Sequence, residues 1–154
     1  MKKEEQLKES ISTYLTLQYP DVIFRFDIGA DIHLPVGLAK KSKRIHKHKK
    51  GYPDLFIAEN YNDGHNVFCG LFIELKVDDF SKVYKKNGDF VSSKHVIEQA
   101  NMLKKLNEKG YAALFTFGLD ETIEMIDTYL SEDFNKMDSF NEKQRKKIEK
   151  WLKK

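Results

Sequence analysis

The segment from Val67 to Val77 reads Val-Phe-Cys-Gly-Leu-Phe-Ile-Glu-Leu-Lys-Val, and its two charges constrain the fold more than any other feature of the chain. Apart from Glu74 and Lys76 the run is apolar, and it predicts a buried central strand. Side chains alternate across a strand, so Glu74 and Lys76 point to the same face. Burying ions there costs several kcal/mol each unless a metal, a partner or a solvent cleft compensates. A cost of that size implies that the pair has a use.

At 154 residues the chain is long enough for one domain with a sizeable core. It reads as a single domain over 1–154, with a core over 4–130 and a C-terminal helical extension over 131–154. Hydrophobic residues make up 40% and charged residues 33%, which excludes a disordered chain. The net charge of +3 says little about partners, but its distribution says more. Residues 40–50 contain no acid, whereas 120–133 are predominantly acidic. A basic block of that kind is either a solvated loop or the footprint of a phosphate-backbone contact. Cys69 has no partner for an internal disulfide and is expected to be a small buried thiol. The amino terminus lacks a signal-peptide core and no apolar run reaches membrane-spanning length, so an intracellular protein without a membrane partner is expected.

Apolar spacing predicts an amphipathic helix over 2–19, with Leu7, Ile11, Tyr14 and Leu15 on one face and Glu4 on its backward extension. Strands are expected over 22–26, 54–58, 67–77 and 111–117. Residues 29–51 show no periodicity and read as a long loop. Asn87-Gly88 marks a tight turn, and Ser92 or Ser93 can cap a helix running to Lys109 that Gly110 stops. Helices follow over 120–130 and in the last segment, where Phe140, Ile148, Trp151 and Leu152 form a stripe. The strand–helix–strand portion implies a right-handed crossover and a partly parallel sheet with helices packed on it.

Asp54 opens the strand before the one that carries Glu74. Two carboxylates of this kind suit a magnesium ion, which keeps several waters and activates one of them for phosphodiester hydrolysis. The backbone carbonyl of Leu75 points sideways from the strand and offers a third oxygen. Lys76 projects into the same cleft, where it can orient water or stabilise negative charge. Taken alone, Pro-Asp reads as a turn and Glu-x-Lys as a surface strand. Their combination in an apolar strand favours catalysis over a structural ion pair.

Gly51-Tyr52-Pro53-Asp54-Leu55, then Phe72-Ile73-Glu74-Leu75-Lys76, then Ser93 and Gln99 ahead of Leu103, Leu106 and Gly110-Tyr111, resembles the VRR-NUC branch of the PD-(D/E)xK nucleases. The resemblance runs from about Glu4 to Leu130 and is to the small stand-alone members found in phages and prophages. It implies a restriction-endonuclease-like three-layer α/β/α core with a mixed central sheet. It also implies a Mg2+- or Mn2+-dependent DNA endonuclease, acting in the cytoplasm of a bacterial or phage-infected host cell. Carried over, Asp54 and Glu74 are metal-binding acids, Lys76 the catalytic lysine, and Gln99 a helix glutamine that positions water or substrate. The family's first helix often supplies a glutamate, for which Glu4 fits the inward face and Glu5 is its neighbour.

Arg25, Lys43, Arg44, His46, Lys47, Lys49 and Lys50 are the candidate DNA contacts, with simple solvation as the alternative for each. His48, two residues after His46, has no third metal ligand in view, and His95, one helical turn before Gln99, either faces the cleft or, as the favoured reading, sits at the surface near a helix cap. Some small members resolve four-way (Holliday) junctions, so branched DNA is an implied substrate. Symmetric cutting suits a two-fold homodimer, to which the Trp151–Leu152 stripe would contribute unless it packs on its own domain. Two competing readings stand beside the nuclease: a non-catalytic nucleic-acid-binding or adaptor module that keeps the fold, and a structural Glu74–Lys76 pair in an unrelated protein.

Overall fold

In the computed structural model, which describes residues 3–27, 35–46 and 50–154, the elements run in chain order as α1 (Lys3–Gln18), β1 (Phe24–Phe26), α2 (Val36–Ile45), β2 (Leu55–Ile57), β3 (Tyr61–Asn62), β4 (Val67–Phe68), β5 (Leu71–Lys76), α3 (Lys94–Glu108), β6 (Ala112–Phe117), α4 (Gly118–Ser131) and α5 (Phe134–Leu152). A single 3-10 turn, Phe80–Lys82, separates β5 from α3. The main sheet has the order β1-β2-β5-β6. Its first two pairings are antiparallel and β5·β6 is parallel, joined through α3, so the sheet is mixed.

Alternation along the strands separates two cores. Leu55, Ile57, Leu71, Ile73 and Leu75 face a layer made by α1, α4 and the start of α5, where Ile11, Leu15, Ile126 and Tyr129 are fully buried. Phe72, Phe115 and Phe117 face α3 through Val96, Leu103 and Leu106. The result is three layers, α/β/α. Tyr14 and Tyr19 each donate a hydroxyl to Asp127 at 2.7 Å, which ties α1 to α4. The C-terminal stripe packs on this same domain. Met137 and Phe140 are buried in the core, and Lys86 lies 3.7 Å from the Trp151 ring centroid while donating to its carbonyl.

Three local expectations change. The stretch 29–51 holds α2, a helix with no buried residue, so it has no periodic core face to read. Within that stretch, residues 29–34 and 47–49 lie outside the described residues, as does Lys2 at the start of the first predicted helix. The 67–77 run is two strands, because Cys69 and Gly70 leave the sheet line. β4 pairs with β3 as a separate ribbon, and a Cβ on Gly70 would meet the Phe56 ring at 2.8 Å. Cys69 is accordingly exposed rather than buried. Ser93 does occupy the N-cap of α3, but its side chain makes no capping bond. Among the described residues no helix is long and apolar enough to cross a membrane.

β6 is an edge strand, flanked by an open groove of about 700 Å³ that holds neither of the paired acids. Four of its outward backbone groups are met by side chains. Asn107 accepts the Ala113 N–H and donates to the Ala113 carbonyl, both at 2.9 Å, as a peptide group of a next strand would. Gln144 donates to the Phe115 carbonyl at 2.9 Å, and Glu121 accepts the Phe117 N–H at 3.2 Å. Edges left unpaired invite strand addition from another copy. Asn107→Ala is expected to lower stability by about 1–2 kcal/mol, or about 2–8 °C in melting temperature, and to increase concentration-dependent association in gel filtration. An unchanged melting curve and elution profile would show that this side chain does not guard the edge.

Candidate active site

Strand parity decides where the two charges go. Leu71, Ile73 and Leu75 take the α1/α4 face, so Phe72, Glu74 and Lys76 face α3. From α3, Gln99 is buried opposite them, and His95 stands one helical turn earlier. Gly51 has φ +72°, and a Cβ there would lie 2.5 Å from the Glu98 carbonyl oxygen. Only glycine lets this loop rest on the backbone of α3, and the contact brings Tyr52, Pro53 and Asp54 to the mouth of the same cleft.

Pro53 has a further consequence. The β2·β5 register pairs Leu55 with Ile73, so two residues on, Pro53 falls opposite Leu75. Proline has no N–H to donate, and the ladder ends there. The Leu75 N–H is taken instead by Asp54 Oδ2 at 2.9 Å. In a strand the N–H and C=O of one residue leave on the same side. The Leu75 carbonyl therefore points toward Asp54, at a position where the ladder supplies no donor.

The charged groups form one network. Lys76 Nζ donates to Glu74 Oε1 at 3.1 Å and to Gln99 Oε1 at 2.8 Å. The Gln99 amide nitrogen donates to Glu74 Oε1 and lies 2.9 Å from His95 Nε2. Lys8 Nζ from α1 lies 2.9 Å from Asp54 Oδ1. Asp54 and Glu74 line the same cleft, and the Asp54 charge acts on Glu74. Glu74 is 3% exposed, and burial together with the Asp54 charge raises its pKa from 4.5 to about 8, against the opposing pull of Lys76. The cleft around them has a volume of about 110 Å³. Its lining sets carboxylates from Asp54 and Glu74 beside ammonium groups from Lys8 and Lys76.

The structure thus brings Asp54, Glu74, the Leu75 backbone, Lys76 and Gln99 together. Glu4 stands exposed at the rim of the cleft, and Glu5 does not line it. Among the described residues no third carboxylate, imidazole or thiol converges with the two acids. His95, read as a surface residue, is exposed yet lines the cleft. Lys8, Asp27 and Tyr52 also line it and were missed. Lys8 carried a usable signal, since it follows Glu4 by one helical turn on the same face. Arg25 is exposed, and its register with Phe56, and of Phe56 with Phe72, sets it on the sheet face that carries Glu74. Lys43, Arg44, His46 and Lys50 are exposed, while Lys47, His48 and Lys49 lie outside the described residues. The segment that carries α2 leaves the cleft at Asp27 and returns at Gly51, both of which line it.

No family model matches the sequence, and no curated protein matches it. Among solved structures, one described as a "VRR_NUC domain protein" matches with a TM-score of 0.57 and 22% identity, over 86% of this chain and 92% of that one. At that identity the match shows a shared fold, a mixed-sheet α/β/α architecture of the VRR_NUC type.

The displaced pKa of Glu74 has a definite sign. Its carboxyl holds a proton more tightly in the folded chain than in the unfolded one. The stabilisation this brings is complete below about pH 4.5 and is lost as pH rises through about 8. Glu74→Gln removes the ionisation, so the metal-free variant should melt above the wild type by a margin that widens from pH 5 to pH 9 (roughly, by linkage). Parallel pH–melting curves for the two proteins would rule this out.

Proposed function

We propose that this chain is a divalent-metal-dependent DNA endonuclease. The observation that carries the reading is the convergence of Asp54, Glu74 and the donor-free side of Leu75 beside a lysine, on a fold shared with a VRR_NUC domain protein. Two hard carboxylate oxygens and a backbone carbonyl fit Mg2+ or Mn2+, and neither needs an all-protein cage. Asp54, Glu74 and the Leu75 carbonyl would hold the ion. Bound there, it would neutralise phosphate charge and lower the pKa of a water.

The chain's own groups do the rest. The Leu75 N–H holds Asp54 by one oxygen, so the carboxylate cannot rotate away from the cleft. Gln99 is gripped at both ends of its amide, with Lys76 on its oxygen and Glu74 on its nitrogen. That double contact fixes the Lys76 ammonium beside Glu74 without consuming all three of its donors. The remaining donor can face the phosphate and stabilise the charge that builds as the P–O bond breaks. Arg25, Lys43, Arg44, His46, Lys47, Lys49 and Lys50 would contact the DNA backbone, which positions the duplex without reading its sequence. Branched and four-way junction DNA is the substrate class that the small stand-alone nucleases of this type suggest. A two-fold homodimer would serve symmetric cutting, and Trp151 and Leu152 are already half-buried against their own domain.

A panel of labelled linear, flapped and four-way DNA substrates with magnesium or manganese tests the proposal. Wild-type protein should cut at least one of them, and Asp54→Ala, Glu74→Ala and Lys76→Ala should each lose about 10²–10³-fold in rate or more, with circular dichroism unchanged. Full cutting by folded Glu74→Ala protein would sink the reading. Salt-sensitive binding without cleavage on every substrate would move the chain to the adaptor class.

A further inference from the structure

Asp54 is an acid with both oxygens engaged. Oδ2 accepts the Leu75 N–H, and Oδ1 is met by Lys8 at 2.9 Å, in a pair whose side chains are 17% and 20% exposed. Lys8 reaches it from α1, in the helical layer opposite the one that supplies Gln99. Docking of α1 does not need this contact. Leu7, Ile11 and Leu15 bury the helix face, and Tyr14 and Tyr19 bond Asp127 at its far end. Lys76 is occupied with Glu74 and Gln99. Each of the two acids thus has an ammonium group beside it.

We propose that Lys8 is a positioning residue, the resident counter-cation of Asp54, which holds Oδ1 aimed into the cleft and yields that oxygen to a divalent ion. The inference rests on the metal-dependent reading of the site. Two carboxyls that line one cleft repel when ionised, and a nearby ammonium relieves that repulsion. Lysine suits the part because its charge sits on a flexible four-carbon stem and withdraws without moving the backbone. A rigid, forked guanidinium would not withdraw so readily. Because Lys8 and the ion compete for one oxygen, removing the lysine must favour the ion.

The test is calorimetric titration of DNA-free protein with Mn2+, for wild type, Lys8→Met, Lys8→Arg and Asp54→Asn, each first checked by thermal melting. Lys8→Met should bind Mn2+ about fivefold more tightly than wild type, the factor expected of an ion pair between exposed and buried extremes. Lys8→Arg should bind no more tightly than wild type, and Asp54→Asn should lose binding. A lysine that merely braced the site would give the opposite sign, weaker binding in Lys8→Met. Equal or weaker binding by Lys8→Met, beside measurable wild-type binding, overturns this inference alone. Absence of Mn2+ binding by the wild type at millimolar concentration overturns the metal reading, and this inference with it.

Discussion

The burial of Glu74 is the interaction on which the rest of this structure turns. A carboxyl at 3% exposure, with a second acid in reach, is stable only if its partners are delivered from several directions at once. Lys76 comes from the same strand and Gln99 from α3, while the loop before β2 brings Asp54, the acid whose charge opposes ionisation of Glu74. Each delivery has a local cause. Strand alternation supplies Lys76, a buried helical position supplies Gln99, and the left-handed backbone at Gly51 lets the Asp54 loop lie against α3.

The sheet contributes by ending where it does. Pro53 stops the β2·β5 ladder one step short of Leu75, and this frees the Leu75 backbone for Asp54 and for whatever occupies the cleft. At the opposite edge the requirement is reversed. There Asn107, Gln144 and Glu121 meet four backbone groups of β6 with side chains, at an edge where no further strand pairs. One sheet therefore has one end left unpaired beside the charged cleft and one edge met by side chains. α5 is part of the second arrangement, because Gln144 belongs to it and also donates to buried Glu121 at 2.7 Å.

Much of this was legible before folding. The helices α3 and α4 show clear apolar spacing because each buries one face, and β6 is apolar because both of its faces are covered. Asp54, Glu74, Lys76 and Gln99 were visible as polar residues at positions where a core would reject or barely tolerate them. The segment that carries α2 was not legible, because a helix with no buried face has no periodicity to read. The break at Cys69-Gly70 was hidden for a different reason. Hydrophobic pattern registers burial, and it does not register which of two sheets a strand joins.

By itself, the sequence determined that a charged pair lies inside an apolar strand, where unpaired buried ions are too costly to tolerate, and it offered Asp54 as the acid that could join them. It also determined the order of α1, β1, β2, β5, α3, β6, α4 and α5, through the periods of their apolar faces. Only the tertiary structure decided the neighbours. Helical spacing puts Lys8 on the face of Glu4 and His95 one turn before Gln99, but they reach one cleft because helices from both layers converge at the end of one sheet. Proximity of that kind comes from packing across large sequence separations, which no local pattern of residues encodes.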